Sequence, residues 1–188
     1  GAEASRTALR ALGATLIDGD PRAGMSAGFA RASVNVLQSA AAVPALRDMG
    51  TTLTALWFRE GHAVVGHIGD TRLYRRRQDR LEVMTKDHSL EEGQNLLTRC
   101  IGAGQSDCDP DCATLDLASG DRFLLCSDGV WNVVEERTLE ALAALRDPQR
   151  AADRLVRAAV NRGGPEDGGS GSDSHCDGNH ILRPPAEI

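Results

Sequence analysis

Two aspartates follow apolar segments of the chain, and each stands next to a glycine. Asp70 comes after the run 64–69, and Asp128 comes after the run 123–127. A neighbouring glycine lets the backbone turn sharply at the end of a strand, so each carboxylate can point into a cleft. Because Mg²⁺ and Mn²⁺ prefer oxygen ligands, the pair indicates an acidic site for a divalent cation. Either dipeptide alone is also typical of an ordinary turn.

The elements that would carry these aspartates are helices and strands in the order of an α+β domain. Short strands that follow one another between 51 and 84 predict an antiparallel meander, and residues 86–111 are predicted to be mostly loop. Two further strands and two helices come next. In chain order we predict helices over 2–16 and 24–42, the meander, strands over 112–117 and 122–127, a helix over 135–145 and a helix opened by Asp147 and Pro148.

Composition narrows the function classes. The chain is 41% hydrophobic, and its length of 188 residues fits one domain better than two. The net charge of −6 argues against a nucleic-acid partner. No apolar run approaches the roughly 20 residues that a membrane helix needs, and the first residues do not have the pattern of a signal peptide. The five cysteines lack disulfide-scaffold spacing, so we expect reduced thiols and a cytoplasmic location. We also expect the protein to be a monomer.

Four segments around and beyond the two aspartates carry a family resemblance. They are residues 69–90 with Gly69-Asp70-Thr71-Arg72 and Asp87-His88-Ser89, residues 95–102, residues 120–131 and residues 155–165. In this order they closely resemble the metal-dependent type 2C serine/threonine protein phosphatases. The resemblance implies two antiparallel sheets in a sandwich flanked by helix pairs, with the N-terminal strands of the family absent. Residues 1–165 would form this partial domain, and residues 166–188 a flexible Gly/Ser/Asp-rich tail.

The resemblance also implies a reaction. In this family two or three Mn²⁺ or Mg²⁺ ions hold a bridging hydroxide that attacks the phosphorus of phosphoserine or phosphothreonine in proteins. By motif position, Asp128 would be a ligand of the core metal pair, and Asp70 would lie in the same acidic cluster, nearer the third metal. His88 looks structural in the matching motif. The partner would be a phosphorylated protein, the target of a serine/threonine kinase.

The chain departs from the family at both ends. The first metal ligands of the family belong to segments that precede the residue matching Gly1, so half of the expected site is absent from this chain. Whether the chain is an enzyme therefore stays open, and the alternative is a catalytically inactive phosphatase-like scaffold or phosphoprotein-binding module. At the other end, Asp167 is the positional candidate for the last metal ligand. Alternatively, 168–178 is an insertion and Asn179 resumes the motif.

Overall fold

The computed structural model describes residues 2–15, 20–59, 61–90, 96–105 and 108–162, and the backbone of 180–182. The helices are α1 (Ala2–Gly13), α2 (Pro21–Ala42), α3 (Asp128–Trp131), α4 (Glu136–Ala143) and α5 (Pro148–Arg162). The strands are β1 (Gly50–Thr51), β2 (Leu53–Arg59), β3 (His62–Ile68), β4 (Arg72–Arg77), β5 (Arg80–Val83), β6 (Ile101–Gly102), β7 (Asp111–Asp116), β8 (Arg122–Cys126) and β9 (His180–Leu182). All pairings between strands are antiparallel. The expected α+β class with antiparallel sheets is confirmed.

The contacts divide the chain into two compact units. The first comprises Gly1–Thr71 and Asp87–Leu117, and the second comprises Arg72–Lys86 and Ala118–Ile188. Each unit has its own sheet, helices and buried cluster, and the domain that the resemblance implied over residues 1–165 stays a prediction. Asp70 belongs to the first unit and Asp128 to the second.

In the first unit, helices α1 and α2 pack on each other, and α2 also packs on the sheet β2-β3-β7. The helix approaches strand β3 closely at Gly66, where a Cβ would lie 2.4 Å from Cγ of Met25. The core combines small helical residues with larger strand residues. Its buried members include Ala4, Ala8, Leu12, Met25, Phe29, Ala32, Val36, Leu53, Val64, Ile68 and Ile101. Burial of this apolar face fixes the register of β3 and therefore the position at which it ends.

Helix α2 begins earlier than the sequence pattern predicted. The carboxylate of Asp20 accepts hydrogen bonds from the backbone N–H of Arg22 at 3.3 Å and of Ala23 at 3.2 Å. Pro21 occupies the first helical position, where its missing N–H costs nothing. The apolar pattern predicted a start at residue 24, whereas Asp20 and Pro21 form the cap that starts the helix.

In the second unit, the sheet has the order β5-β4-β8-β9. Strand β8 is fully apolar after Arg122, and its last residue, Cys126, is completely buried. This burial raises the pKa of the Cys126 thiol to about 12. The core of the unit joins the sheet to all three of its helices. Its buried members include Tyr74, Leu124, Cys126, Val130, Val134, Leu139, Ala151, Leu155 and Ala159.

One sequence prediction about strands is wrong, that of a continuous meander. Residues 51–84 form two separate hairpins, β2–β3 and β4–β5, because later strands, β7 and β8, take the second edges of β3 and β4. The segment 86–111, predicted to be mostly loop, contains the two-residue strand β6, which pairs with β1. Strand β9 lies within the segment 166–188 and pairs with β8, the rest of this segment lies outside the described residues, and the flexible tail stays a prediction.

Within the described part of the chain, no helix is both long and apolar enough to cross a membrane.

Candidate metal-binding site

Asp70 lies in the turn that follows strand β3. The preceding residue, Gly69, has a φ of +110°, and a Cβ there would stand 2.3 Å from Cγ2 of Thr52. Both the backbone conformation and the space disfavour any larger residue at this position. Asp70 is half-buried at the end of the strand. The glycine predicted to allow a sharp turn therefore does so, and it brings the backbone against Thr52, the residue before strand β2.

The residue before Asp70 is held by His88 through two hydrogen bonds. The N–H of Gly69 donates to Nδ1 of His88 at 3.0 Å, and the N–H of His88 donates to the carbonyl oxygen of Gly69 at 2.8 Å. His88 is 9% exposed. Because Nδ1 accepts a hydrogen bond here, the proton of the neutral ring is on Nε2. These contacts agree with the structural role that the sequence motif indicated for His88.

The residue after Asp70 is held by two threonines of the neighbouring chain segment. Thr54 donates its hydroxyl proton to the carbonyl oxygen of Thr71 at 3.1 Å, and the hydroxyls of Thr52 and Thr71 are 2.8 Å apart. Oγ1 of Thr54 is also 2.8 Å from Nδ1 of His67. Since the single hydroxyl proton of Thr54 goes to the carbonyl, Nδ1 of His67 is the donor in that second contact.

A carboxylate and a guanidinium lie behind His88. Nε2 of His88 is 3.1 Å from Oδ2 of Asp111, and Nη1 of Arg99 donates to Oδ1 of the same carboxylate at 2.7 Å. Nη1 and Nε2 are also 3.0 Å apart, but both carry protons in this tautomer, so each donates to Asp111 and neither donates to the other. Arg99 also donates to the carbonyl oxygen of Asp109. The hydrogen bond from Arg99, together with the one from His88 and against the effect of burial, holds the pKa of Asp111 below its usual value. Asp111 is therefore an anion that can accept the Nε2 proton of His88.

In the second unit, Asp128 follows strand β8 and is the first residue of the short helix α3. Ser127 is the N-cap, with extended backbone angles, and its carbonyl oxygen accepts the N–H of Val130 at 3.0 Å. Val130 is completely buried and anchors the helix in the core of the unit. The carboxylate of Asp128 is half-buried and accepts the N–H of Gly129 at 2.8 Å. One oxygen of Asp128 thus helps to fix its orientation.

Each of these two aspartates therefore stands at the end of a strand, as predicted, and both supply the hard oxygen donors that Mg²⁺ and Mn²⁺ take. They fit such an ion as part of a ligand set. No group of three or more His, Cys, Asp or Glu side chains is gathered for a metal within the ranges that the structure describes. That Asp70 and Asp128 share cations stays a prediction, and Asp167 lies outside the described residues.

Sequence reasoning missed the part that Asp111 plays. It begins strand β7, opposite His67 of β3, and this register cannot be read from a segment that has no regular pattern. The residues Asp87-His88-Ser89 and Thr98-Arg99 were singled out as motifs, but their contact through Asp111 depends on that pairing. The only local signal for Asp111 was that a polar residue follows directly after a proline.

A family model described as protein phosphatase 2C matches residues 1–165. The chain therefore belongs to the protein phosphatase 2C family. Among curated proteins it is similar to the serine/threonine protein phosphatase PstP of Mycobacterium tuberculosis, with 34% identity over 142 residues, 65% of this chain and 27% of that protein. It is also 34% identical over 138 residues to the protein phosphatase PhpP of Streptococcus pneumoniae, 64% of this chain and 56% of that protein. The chain thus spans about a quarter of PstP and about half of PhpP.

Solved structures are similar over most of the chain. The serine/threonine phosphatase PstP of Mycobacterium tuberculosis has a TM-score of 0.79 at 27% identity, covering 86% of this chain and 77% of that one. The catalytic domain of PstP in complex with two manganese ions gives 0.79 at 28% identity, covering 88% and 77%. The Ser-Thr phosphatase MsPP of Mycobacterium smegmatis gives 0.76 at 33% identity, covering 86% and 77%. These similarities confirm the family that the four motifs indicated.

Proposed function

We propose that this protein is a protein serine/threonine phosphatase that hydrolyses phosphoserine and phosphothreonine with the help of Mn²⁺ or Mg²⁺. The observation that carries the proposal is the match of residues 1–165 to the protein phosphatase 2C model, with Asp70 and Asp128 at strand ends inside it. Relatives that share 34% identity are named as protein phosphatases. The substrates would be phosphorylated proteins, the products of serine/threonine kinases. The monomeric state and the cytoplasmic location stay predictions.

Under this proposal, Asp70 and Asp128 hold the divalent ions. A solved PstP catalytic domain is in complex with two manganese ions, and we infer the same kind of ion for this chain. Such ions, when bound, make water a nucleophile near neutral pH and offset the charge that develops on phosphoryl oxygens. The contribution of the chain is to keep the carboxylates in place. Hydrogen bonds on both sides of Asp70, and the buried Val130 after Asp128, support that role.

Two assignments compete for the C-terminal ligand. Asp167 follows helix α5 most directly, but strand β9 begins at His180, one residue after Asn179, and pairs with β8. A strand at that place supports the alternative in which Asn179 resumes the motif. The carboxylate nearest to Asn179 in the sequence is that of Asp177. If the alternative is correct, Asp177→Asn weakens Mn²⁺ binding in calorimetric titration and Asp167→Asn leaves it unchanged.

The proposed activity is tested by phosphate release from a phosphothreonine peptide by a protein that contains residues 1–188, with and without Mn²⁺. We expect Asp128→Asn to abolish the Mn²⁺-dependent release without changing the thermal unfolding profile. Asp153→Asn is the matched control, because Asp153 is an exposed aspartate of helix α5. Its carboxylate accepts a hydrogen bond from Gln149 of the same helix at 2.9 Å. Asp153→Asn should keep wild-type turnover.

The possible outcomes separate the two hypotheses. Peptide binding without Mn²⁺ binding or phosphate release would overturn the enzyme and support the inactive scaffold. Equal activity of wild type and Asp128→Asn would overturn the assignment of Asp128.

A further inference from the structure

We propose that His88 is a positioning residue, which fixes the turn carrying Asp70 and is itself oriented by Asp111 and Arg99. The inference rests on the proposed function, since it concerns how Asp70 is presented to a divalent ion. All of the residues involved belong to the first unit. None of them needs to touch the substrate.

The first step is the pair of hydrogen bonds between His88 and the backbone of Gly69. Gly69 is buried, so its N–H and carbonyl groups need partners inside the protein. His88 supplies both, through Nδ1 at 3.0 Å and through its own N–H at 2.8 Å. The N–H of Gly69 belongs to the peptide group shared with Ile68, and its carbonyl belongs to the peptide group shared with Asp70, so the two hydrogen bonds restrain both peptide groups that flank Gly69. The ring of His88 thus holds the peptide group before Gly69, and the backbone of His88 holds the one that leads to Asp70.

The second step is the orientation of the ring itself. Nδ1 can accept from Gly69 only if the ring carries its proton on Nε2 and does not flip. Oδ2 of Asp111 lies 3.1 Å from Nε2 and accepts that proton in a hydrogen bond. The carboxylate is in turn fixed by Arg99 at 2.7 Å. Arg99, Asp111 and His88 therefore form a chain of contacts that ends at the backbone beside Asp70.

The third step explains why a histidine is used where an apolar residue would fill the space. A leucine at this position would match the bulk of the ring but would leave the N–H of Gly69 without an acceptor. An asparagine places its amide oxygen close to where Nδ1 stands in histidine, so it can replace the acceptor. The two substitutions therefore separate the hydrogen bond to Gly69 from the packing of the side chain.

The experiment measures Mn²⁺ binding by calorimetry, together with thermal unfolding and hydrogen exchange of the Gly69 amide. We expect His88→Leu to raise the Kd for Mn²⁺ about tenfold, as loss of a residue that orients a ligand does. It should also speed exchange at Gly69 more than at other amides of strand β3. His88→Asn should keep the Kd within about threefold of wild type.

A control separates positioning from general stability. Val36→Ala removes buried atoms from helix α2 in the same unit, so it should lower the unfolding temperature while the Kd for Mn²⁺ is unchanged. If His88→Leu does not fold, Asp111→Ala replaces it, because the side chain of Asp111 is 57% exposed. That variant should raise the Kd about threefold, because the ring loses its orienting partner.

Each result decides the matter. Equal Mn²⁺ affinity in wild type, His88→Leu and Asp111→Ala would overturn the positioning role and leave the proposed function standing. Loss of affinity in Val36→Ala as large as in His88→Leu, or in His88→Asn as large as in His88→Leu, would also overturn it. A wild-type protein that binds no Mn²⁺ would overturn the proposed function and the positioning role together.

Discussion

The guanidinium carbon of Arg72 lies 3.6 Å from the centroid of the Trp131 ring. This contact joins the first residue of strand β4 to the last residue of helix α3, whose first residue is Asp128. A cation over an aromatic face at this distance is attractive, and Arg also stacks on the ring through its plane. The contact therefore connects the sheet of the second unit to the short helix that begins with the proposed metal ligand.

We predict that Arg72→Ala lowers the free energy of unfolding by about 1 kcal/mol, the usual size of such a contact at a half-buried site. The measurement is urea denaturation. Arg59→Ala is the matched control, because Arg59 lies over Trp57 at the longer distance of 4.6 Å. Arg59→Ala should lower the free energy of unfolding by less than Arg72→Ala does. Equal losses in the two variants would contradict the importance of the shorter stack.

A second prediction concerns the turn at Gly69. Gly69→Ala combines a strained φ with a Cβ that would lie 2.3 Å from Thr52, so neighbouring atoms must move. We expect Gly69→Ala to lower the free energy of unfolding by about 2 kcal/mol more than Gly61→Ala does, because overpacking is added to the backbone strain. Gly61 has a φ of +71° and nothing within 4 Å of its Cβ position, so its substitution tests strain alone. Unfolding in urea gives both values, and equal values would mean that the contact with Thr52 relaxes freely.

A third prediction concerns the buried ion pair of the second unit. Asp121, with a side chain 1% exposed, accepts hydrogen bonds from Nε of Arg77 at 2.8 Å and from Nη2 at 2.7 Å. Asp121→Asn removes the charge from these hydrogen bonds, and the guanidinium of Arg77 that is left is 35% exposed, so the variant should cost about 2 kcal/mol in urea denaturation. The control is Asp79, whose side chain is 98% exposed and pairs with Arg76 on the hairpin that also carries Arg77. Asp79→Asn should lower the free energy of unfolding by less than about 1 kcal/mol. A similar cost for both changes would mean that the buried pair has no special weight.

A fourth prediction follows from the ionisation of Asp121. Burial by itself raises the pKa of this carboxyl. The hydrogen bonds from Arg77 and from the N–H of Ala118, together with the charges of Arg77 and Arg75, lower the pKa by more than burial raises it, so the net pKa is below the usual value. The stability that Asp121 contributes is therefore complete above the unfolded-state pKa of about 3.9. It is lost as the pH falls below that value and through the lower pKa of the folded state.

The measurement for this fourth prediction is the difference in unfolding free energy between wild type and Asp121→Asn as a function of pH. The difference should be constant from about pH 7 to pH 5 and shrink below about pH 4. Other carboxyls whose pKa is lowered, such as that of Glu82 beside Arg75, titrate in both proteins and cancel. A difference that stays constant at low pH would contradict the assigned role of the carboxylate.

The ends of strands β3 and β8 were predictable, because each is a continuous apolar run that a glycine or an aspartate closes. The same is true of helix α5, whose buried residues Ala151, Leu155 and Ala159 repeat every four positions. Such local patterns reflect burial on one face and need no knowledge of the rest of the fold. They correctly indicated where the two candidate ligands stand along the chain.

The contacts that position Asp70 could not be predicted in the same way. His88 reaches Asp111 only because β7 pairs with β3 in one particular register, and that pairing joins segments almost 50 residues apart in the sequence. Strands β6 and β9 have two and three residues, too few to show any alternation. The division of the strands between two sheets likewise depends on which later strand takes each free edge.

Strand β9 has a practical consequence for fragments of this protein. The match to the family model ends at residue 165, whereas β9 begins at His180 and lies along β8. A polypeptide cut at the end of helix α5 would leave the backbone donors and acceptors along one side of β8 without their partners, beside the residues Phe123 and Leu125. Unpaired strand edges of this kind recruit other molecules into mixed sheets, so such a fragment should precipitate or associate where the longer chain does not.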